Sequence, residues 1–460
     1  MDLTLATQAY ERGAEGSAES ICKNLYPARK EATDGRAVEL RTTPGLEPFV
    51  TLSGNVRGYI ATDGLFDGDI FAVAGAKFVR ITSAGVVTEL GAVPLTGNVT
   101  MAASRIEIAV CVAPKMYIYD GSTFAEVTDE DLPNVTSVDY INQRFIVSDD
   151  ADRPYWTDLL DGSAVDGLNF LTAEAHPDKL VRVLSDGESF YAMGTRTIER
   201  IGAVSNPSSA SAAFARIGSG VIKVGLAGIH AATVDVSTKI VGFVGSDRVI
   251  YITQGYDPQP ISSTFINDEL AKATDEELSA ARCFAYSEGG DTHFVTSVPN
   301  VGTFVFLKSL GQWHTRSTGV ASTWRADMHQ NAWGQNYVAS SSGAIIYRLS
   351  RDVLTDAGEV ITREFTASSP VRSINEIRDV TVDAYADRDA KISMRKRKRG
   401  SKRQWGPWID RSLQSPDNLC AALFRRLGKT FPPEEVFHFR VTDECGLVVT
   451  GVRANDGVAK

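Results

Sequence analysis

The densest single chemistry in this chain is basic. The run Arg395-Lys396-Arg397-Lys398-Arg399-Gly400-Ser401-Lys402-Arg403 places seven cations in nine residues. Side chains alternate between faces along a strand, so in a strand or hairpin tip both faces of this run would carry charge and resist burial. The segment is therefore expected to project. Its candidate chemistry is electrostatic contact with DNA or with an acidic surface of a partner subunit, made by Arg395, Lys396, Arg397, Lys398, Arg399, Lys402 and Arg403. A solvated hairpin without a partner fits the same residues.

Other chemistries find less support. Two carboxylates flanking a sugar bond would serve glycoside hydrolysis, and acids cluster at Asp149, Asp150 and Asp152 and at Asp383, Asp387 and Asp389. Both clusters read as turns, where Asp is favoured because it bonds local backbone, and neither has calcium-loop spacing ending in Glu. The six histidines (His176, His230, His293, His314, His329 and His438) form no HxH, HExxH or HxxE pattern, and no GxSxG elbow supplies a nucleophile. Gly218-Ser219-Gly220-Val221-Ile222-Lys223 is neither a Walker loop nor a GxGxxG, and reads as a turn. Cys22, Cys111, Cys283, Cys420 and Cys445 stand singly, as expected of reduced, buried thiols in a cytoplasmically made protein. Trp313, Trp324, Trp333, Trp405 and Trp408 fit core and interface equally. A non-enzymatic protein without cofactor or metal is the expectation.

What must position the basic run is a β-rich scaffold. From about residue 56, short runs of Val, Ile, Phe, Tyr and Thr alternate with Gly, Asp, Asn and Ser, the pattern of antiparallel strands and turns. Residues 69–91 and 107–128 are alike, each with strand, turn, lysine, strand, turn and strand, and Lys77 and Lys115 hold equivalent places 38 residues apart. Similar hairpins follow at 140–158, 189–202, 239–253, 292–315 and 335–350. The markers Ile81, Tyr119, Ile146, Ile198, Ile250, Phe304 and Ile346 are spaced by 27 to 54 residues, the range of propeller blades. An all-β chain is expected, a β-propeller of six to eight blades over 56–365. Before it lies an extended N-terminal arm over 1–55, bent at Asn24-Leu25-Tyr26-Pro27 and Thr43-Pro44-Gly45-Leu46, and after it a C-terminal sandwich-like β-domain over 366–460. A set of β-sandwiches is the competing architecture. One short helix is expected from Thr274, as N-cap with Glu277 as capping-box partner, to Arg282.

Composition agrees with a folded chain: 43% of residues are hydrophobic and 23% charged. Met1-Asp2-Leu3-Thr4 lacks the basic start of a signal peptide, and no apolar run nears the ~20 residues that cross a bilayer, so no membrane anchoring is expected. The net charge of −10 argues against a sequence-reading DNA surface, which neutralises phosphates. It suits a channel through which DNA slides without sticking.

The order of several motifs resembles a known family. Cys22-Lys23-Asn24-Leu25-Tyr26-Pro27, Leu40 and Thr43-Pro44-Gly45-Leu46 open the chain, followed by His176-Pro177-Asp178 and Gly194-Thr195-Arg196-Thr197-Ile198-Glu199. Thr274-Asp275-Glu276-Glu277, Val305-Phe306 and Gln312-Trp313 come next, before the closing Phe424-Arg425-Arg426-Leu427-Gly428 and Phe437-His438-Phe439-Arg440-Val441. This order is similar to that of the packaged-DNA-stabilisation or tail-hub proteins of short-tailed bacteriophages, although the basic run is more heavily charged here. The resemblance implies a ring, a homo-hexamer, below the portal and its adaptor in the virion tail, made in the bacterial host cytoplasm. There it would continue the channel for packaged double-stranded DNA, help retain the genome, and anchor a needle or plug and fibres or spikes. A propeller glycosidase or polysaccharide depolymerase, and a monomeric protein-binding propeller, are the alternatives.

Overall fold

Strand Ile70–Ala74 is apolar at every position and buried at every position. An alternating strand covers one face; this one must be covered on both. In the computed structural model, which describes residues 2–6, 20–29, 38–62, 64–172, 178–370, 377–397, 405–413, 419–427 and 434–455, it is. Phe71 and Val73 pack against Ile108, Val110 and Tyr117 of the next sheet, while Ile70 and Ala72 turn the other way, against Tyr337 and Ile346.

The same arrangement recurs around the molecule. Among the described residues seven antiparallel sheets follow one another, starting at Val56–Ala61, Val99–Ala103, Ser137–Ile141, Leu180–Ser185, Ala232–Asp235, Arg282–Glu288 and Met328–Ala332. The first strand of each sheet packs beside the first strand of the next, and that of the seventh beside that of the first, so the ring closes. Apolar clusters fill the spaces between successive sheets. Each of the seven sequence markers falls in a different sheet, all in the third strand except Ile146, which lies in the second strand, Arg144–Ser148. Lys77 and Lys115 each open the third strand of their sheet and pair with a glutamate on the fourth, Glu89 at 2.6 Å and Glu126 at 2.8 Å.

The seventh sheet takes its outer strand from the start of the chain: Gly45–Thr51 pairs antiparallel with Ile345–Ser350. The register shifts between Ile346 and Tyr347, so Phe49 has no partner and Pro48 sits beside the irregularity, where proline is tolerated in a sheet. A Cβ on Gly45 would come within 2.2 Å of the Val353 carbonyl oxygen and 2.5 Å of that of Thr355. Gly45→Ala is therefore expected to cost about 3 kcal/mol by forcing backbone apart at the ring closure. A chemical-denaturation midpoint equal to that of the parent would show that the closure yields freely.

The rest of the first fifty residues, expected as an extended arm, is built into two sheets with strands from the chain's end. Leu25–Arg29 and Val38–Thr42 form one side of a five-stranded sheet whose other strands are Leu447–Ala454, Asp379–Ala386 and Leu419–Arg425. Cys22–Lys23 and Thr4–Leu5 both pair with Arg363–Pro370, in a second sheet that continues through Glu434–Val441 and Ala390–Lys396 to Ile409–Leu413. The two sheets enclose one core, with Leu25 and Leu40 from the chain's start and Phe365, Val382 and Phe439 from its end. The expected boundary at 365/366 falls inside Arg363–Pro370. Extended backbone is what these residues favour, and Pro27 lies in an edge strand where its missing N–H is cheap. What the sequence lacked was the partner, which lies more than 300 residues away.

The sandwich and the propeller share a sheet. Cys22–Lys23 lies between Arg363–Pro370 and the outer strand of the sixth propeller sheet, Gln312–Arg316, with Lys23 opposite Thr315. Asn24 fastens the same seam, donating to the Ser317 carbonyl at 3.1 Å and accepting from the Ser317 N–H at 2.9 Å. The expected helix is present as Asp275–Ser279 with its full capping box, three residues shorter than expected because Arg282 already begins a strand. Thr274→Ala should cost about 1 kcal/mol, read as a lower denaturation midpoint. A second helix, Thr264–Leu270, was not anticipated; it is capped by Ser263 and buries Ile266 and Leu270.

Candidate interaction surface at the basic hairpin

Strand Ala390–Lys396 runs between Ile409–Leu413 and Glu434–Val441. Its alternation sends Ile392 and Met394 into the sandwich core and Lys391, Ser393 and Arg395 to the opposite face. On that face Arg395 sits opposite His438. Its guanidinium carbon is 4.9 Å from the ring centre of Trp405 and 4.4 Å from that of Trp408. Nε and Nη2 approach His438 Nδ1 at 3.1 and 2.9 Å, and His438 Nε2 lies 2.7 Å from Glu364 Oε2. Arg440 covers Trp408 at 4.2 Å.

This geometry requires a neutral His438 that accepts at Nδ1. Burial lowers its pKa, and Arg395 and Arg440 push the same way against Glu364. The arrangement also corrects the expectation that the whole run projects. Arg395, Lys396 and Arg397 are half-buried, and Arg397 forms a bridge with Trp405 at the base of the hairpin. Two indole faces attract the Arg395 guanidinium and shield its stem, which the sequence pattern alone could not supply. Lys398, Arg399, Lys402 and Arg403 lie outside the described residues. The missed partners carried a faint signal, since Trp405 and Trp408 follow the basic run directly.

Asp149 accepts from the N–H groups of Ala151 at 3.0 Å and Arg153 at 2.9 Å, the local cap that its turn suggested. Asp383 is not in a turn: it lies within Asp379–Ala386, buried, and takes both arms of Arg453 at 2.7 Å. Gly218-Ser219-Gly220-Val221-Ile222 belongs to strand Phe214–Ile222, also against expectation. The register jumps between Glu199 and Ile201, and Gly218 at φ +70° lets the strand make that excursion. Trp313 and Trp324 are core residues, whereas Trp333 packs half-buried against Phe49 and Tyr337. No disulfide joins any of the five cysteines. Among the described residues, which exclude His176, no three His, Cys, Asp or Glu side chains converge to hold a metal ion.

A cleft of about 450 Å³ opens where the sandwich meets the seventh propeller sheet, lined by Tyr26, Arg41, Arg351, Tyr385, Asp387 and Val448 among others. Its arginines are already engaged, Arg41 with Glu39 and Arg351 with Glu288, each at 2.6 Å. Beside it the sixth sheet presents a buried polar seam. The rings of His293 and His314 are 6.2 Å apart, and His293 stacks on Tyr286 at 4.7 Å. Arg316, 1% exposed, lies 3.4 Å from the ring centre of Trp324 and donates to the Pro44 carbonyl at 2.8 Å.

Radial sheets closed by a strand from the chain's start, with a sandwich continuing one of them, define an all-β propeller protein. The chain belongs to the phage stabilisation family described as Bacteriophage P22 Gp10, beta-propeller, whose family model matches residues 9–354. Similar solved structures include BBS1N in complex with ARL6DN, at 12% identity over 68% of this chain and 97% of that one, with a TM-score of 0.43. The computationally designed Ika8 protein matches at 11% identity over 76% and 97%, with a TM-score of 0.42. The WD40 beta propeller domain of Doa1 matches at 12% over 67% and 97%, with a TM-score of 0.40. No curated protein matches the chain. No helix among the described residues is long and apolar enough to cross a membrane.

Proposed function

We propose that this chain is a structural subunit of a short-tailed phage tail, a hub or nozzle, that assembles as a ring below the portal-adaptor. In this reading the ring is a hexamer that continues the DNA channel, helps retain the packaged genome, and anchors a needle or fibres. The mechanism is assembly and gating, with no bond made or broken. The observation that carries it is the family match over residues 9–354. The seam around Cys22–Lys23 supports it, because propeller and sandwich sharing a sheet resist being pulled apart under load.

Negative-stain microscopy of the purified chain, alone and with its portal-adaptor, tests the reading. Rings on the adaptor are the expected result, and monomers that never join it would remove the proposal. Sugar release from host polysaccharide by the isolated chain would favour the depolymerase instead. The hairpin is tested by serine at Lys398, Arg399, Lys402 and Arg403, with Arg395 left intact because its cage is structural. Particle yield or genome retention should fall; unchanged values would remove the hairpin from the proposal.

A further inference from the structure

The first strand of each propeller sheet is an edge, paired with a neighbour on one side only. Its free side faces the axis of the ring, where first strand packs beside first strand. Each first strand has half-buried positions, whereas the second strands Ile70–Ala74, Ile108–Val112, Arg144–Ser148 and Ser189–Gly194 are buried throughout. Water therefore reaches the axis. The unpaired backbone of such an edge needs partners, and side chains of one sheet supply them to the next. Ser137 Oγ accepts from the Val183 N–H at 3.0 Å, and Asp139 Oδ2 from the Ser185 N–H at 2.8 Å.

Arg182 reaches from the fourth sheet to the fifth. Its Nη1 donates to the carbonyls of Ile229 at 3.1 Å and Ala232 at 2.9 Å, on either side of His230. The His230 carbonyl in turn accepts from the Cys283 N–H at 2.8 Å, beside Arg282 at the start of the sixth sheet. Three consecutive sheets thus bring Arg182, His230 and Arg282 together, all half-buried. Their charges act on one another. His230 is held well below the usual imidazole range chiefly by burial, with Arg282 and then Arg182 adding to it. Burial lowers the pKa of Arg182, and Arg282 lowers it further against Asp139.

The aspartates beside them are committed elsewhere. Asp139 accepts from the Ser185 N–H with one oxygen and from the Tyr140 N–H at 2.7 Å with the other. Asp327, at the approach to the seventh sheet, accepts from the Ser341 N–H at 2.9 Å and from the Ser341 hydroxyl. The Arg282 Nε stands 4.0 Å from its nearer oxygen, which is not a tight bridge. Among the described residues neither the Arg282 guanidinium nor the His230 ring makes a hydrogen bond, and Arg182 Nε is buried without a partner. Polar groups so enclosed are as a rule hydrogen-bonded.

We infer that the axis of the propeller holds a small tetrahedral oxyanion, of the phosphate or sulfate class, between Arg182, His230 and Arg282. Such an ion relieves the repulsion between the two guanidinium groups and takes the donors that the protein leaves open. The neutral His230 ring donates through its one N–H. The donors come from three sheets and hence from three directions, which suits oxygens arranged tetrahedrally better than the flat pair of a carboxylate. Once bound, the ion ties the fourth, fifth and sixth sheets across the axis. The inference concerns a single chain and stands apart from the ring reading above.

Calorimetric titration of the full-length chain with inorganic phosphate, in a phosphate-free buffer, tests it. A single saturable site per chain is expected, and phosphate should raise the thermal midpoint as a ligand of the native state does. Arg282→Gln should weaken binding at least about tenfold, the scale of one lost charge-assisted hydrogen bond. Arg282→Lys, which keeps the charge, should weaken it less. Both variants are checked for native circular dichroism, and His230→Phe, with the same expected loss, serves if Arg282→Gln does not fold. No saturable heat in the parent, or binding unchanged by Arg282→Gln and His230→Phe, overturns the inference. Acetate bound as tightly as phosphate overturns the tetrahedral assignment. Binding lost with Lys398→Ser, Arg399→Ser, Lys402→Ser and Arg403→Ser combined, but kept with Arg282→Gln, overturns the inference by placing the ion on the basic run.

Discussion

Arg316→Ala should lower the stability of the protein by about 3–5 kcal/mol, the range found when one member of a buried ion pair is removed. Arg316 and Asp356 are 1% exposed, and their closest charged atoms are 4.0 Å apart. At that distance the pair is not a tight bridge. The guanidinium also stacks on Trp324 at 3.4 Å and ties the Pro44 carbonyl to the sixth sheet. Its loss would leave Asp356 buried with Thr318 as its hydroxyl donor at 3.1 Å, in a site where burial already pushes the carboxyl's pKa upward. It would also loosen the strand that closes the ring, since Pro44 precedes Gly45–Thr51. Urea denaturation measures the cost. The double variant Arg316→Met with Asp356→Leu should recover much of it, because removing both charges avoids the orphan. A double variant no more stable than the single one would place the loss in packing alone.

Acidification below about pH 6.5 should also destabilise the fold, through histidines kept neutral by burial. His293 and His329 are pushed down to about 4, and His230 and His314 are pushed well below the usual imidazole range, in each case chiefly by desolvation. The unfolded chain binds a proton at each near pH 6.5, and the folded chain does so only far lower. Stability is therefore full above that value and falls as pH drops through the window towards 4, by about 1.4 kcal/mol per pH unit for each fully shifted histidine. Burial raises the pKa values of Asp139, Asp327 and Asp356, so these carboxyls act in the opposite sense. The variant His293→Gln with His314→Gln separates the two contributions, because it leaves the carboxylates in place. Its denaturation midpoint should decline less between pH 7 and pH 5 than the parent's, and an identical decline would show that these two histidines do not govern it.

How legible the architecture was depended on sequence separation. Within the first five propeller sheets, strands that pair are neighbours in the chain, so the repeat of strand, turn and lysine at Lys77 and Lys115 revealed both the repeat and its equivalent positions. The Thr274 capping box was legible for the same reason, because its two bonds span three residues. The fate of the first fifty residues was not. Val38–Thr42 pairs with Leu447–Ala454 and Gly45–Thr51 with Ile345–Ser350, and no local pattern announces a partner some 300 or 400 residues away.

At the basic run the same division holds. Its charge, and the electrostatic chemistry that charge allows, were set by composition. Which cation stacks between tryptophans was set by register, because the pairing of Arg395 with His438 brings one arginine to an aromatic face. Sequence by itself determined the all-β repeat and the sign of each charged segment, because those rest on local alternation and composition. Only the tertiary structure decided where the chain's ends are fastened and which arginine is held between tryptophans, because those follow from pairings made across the whole chain.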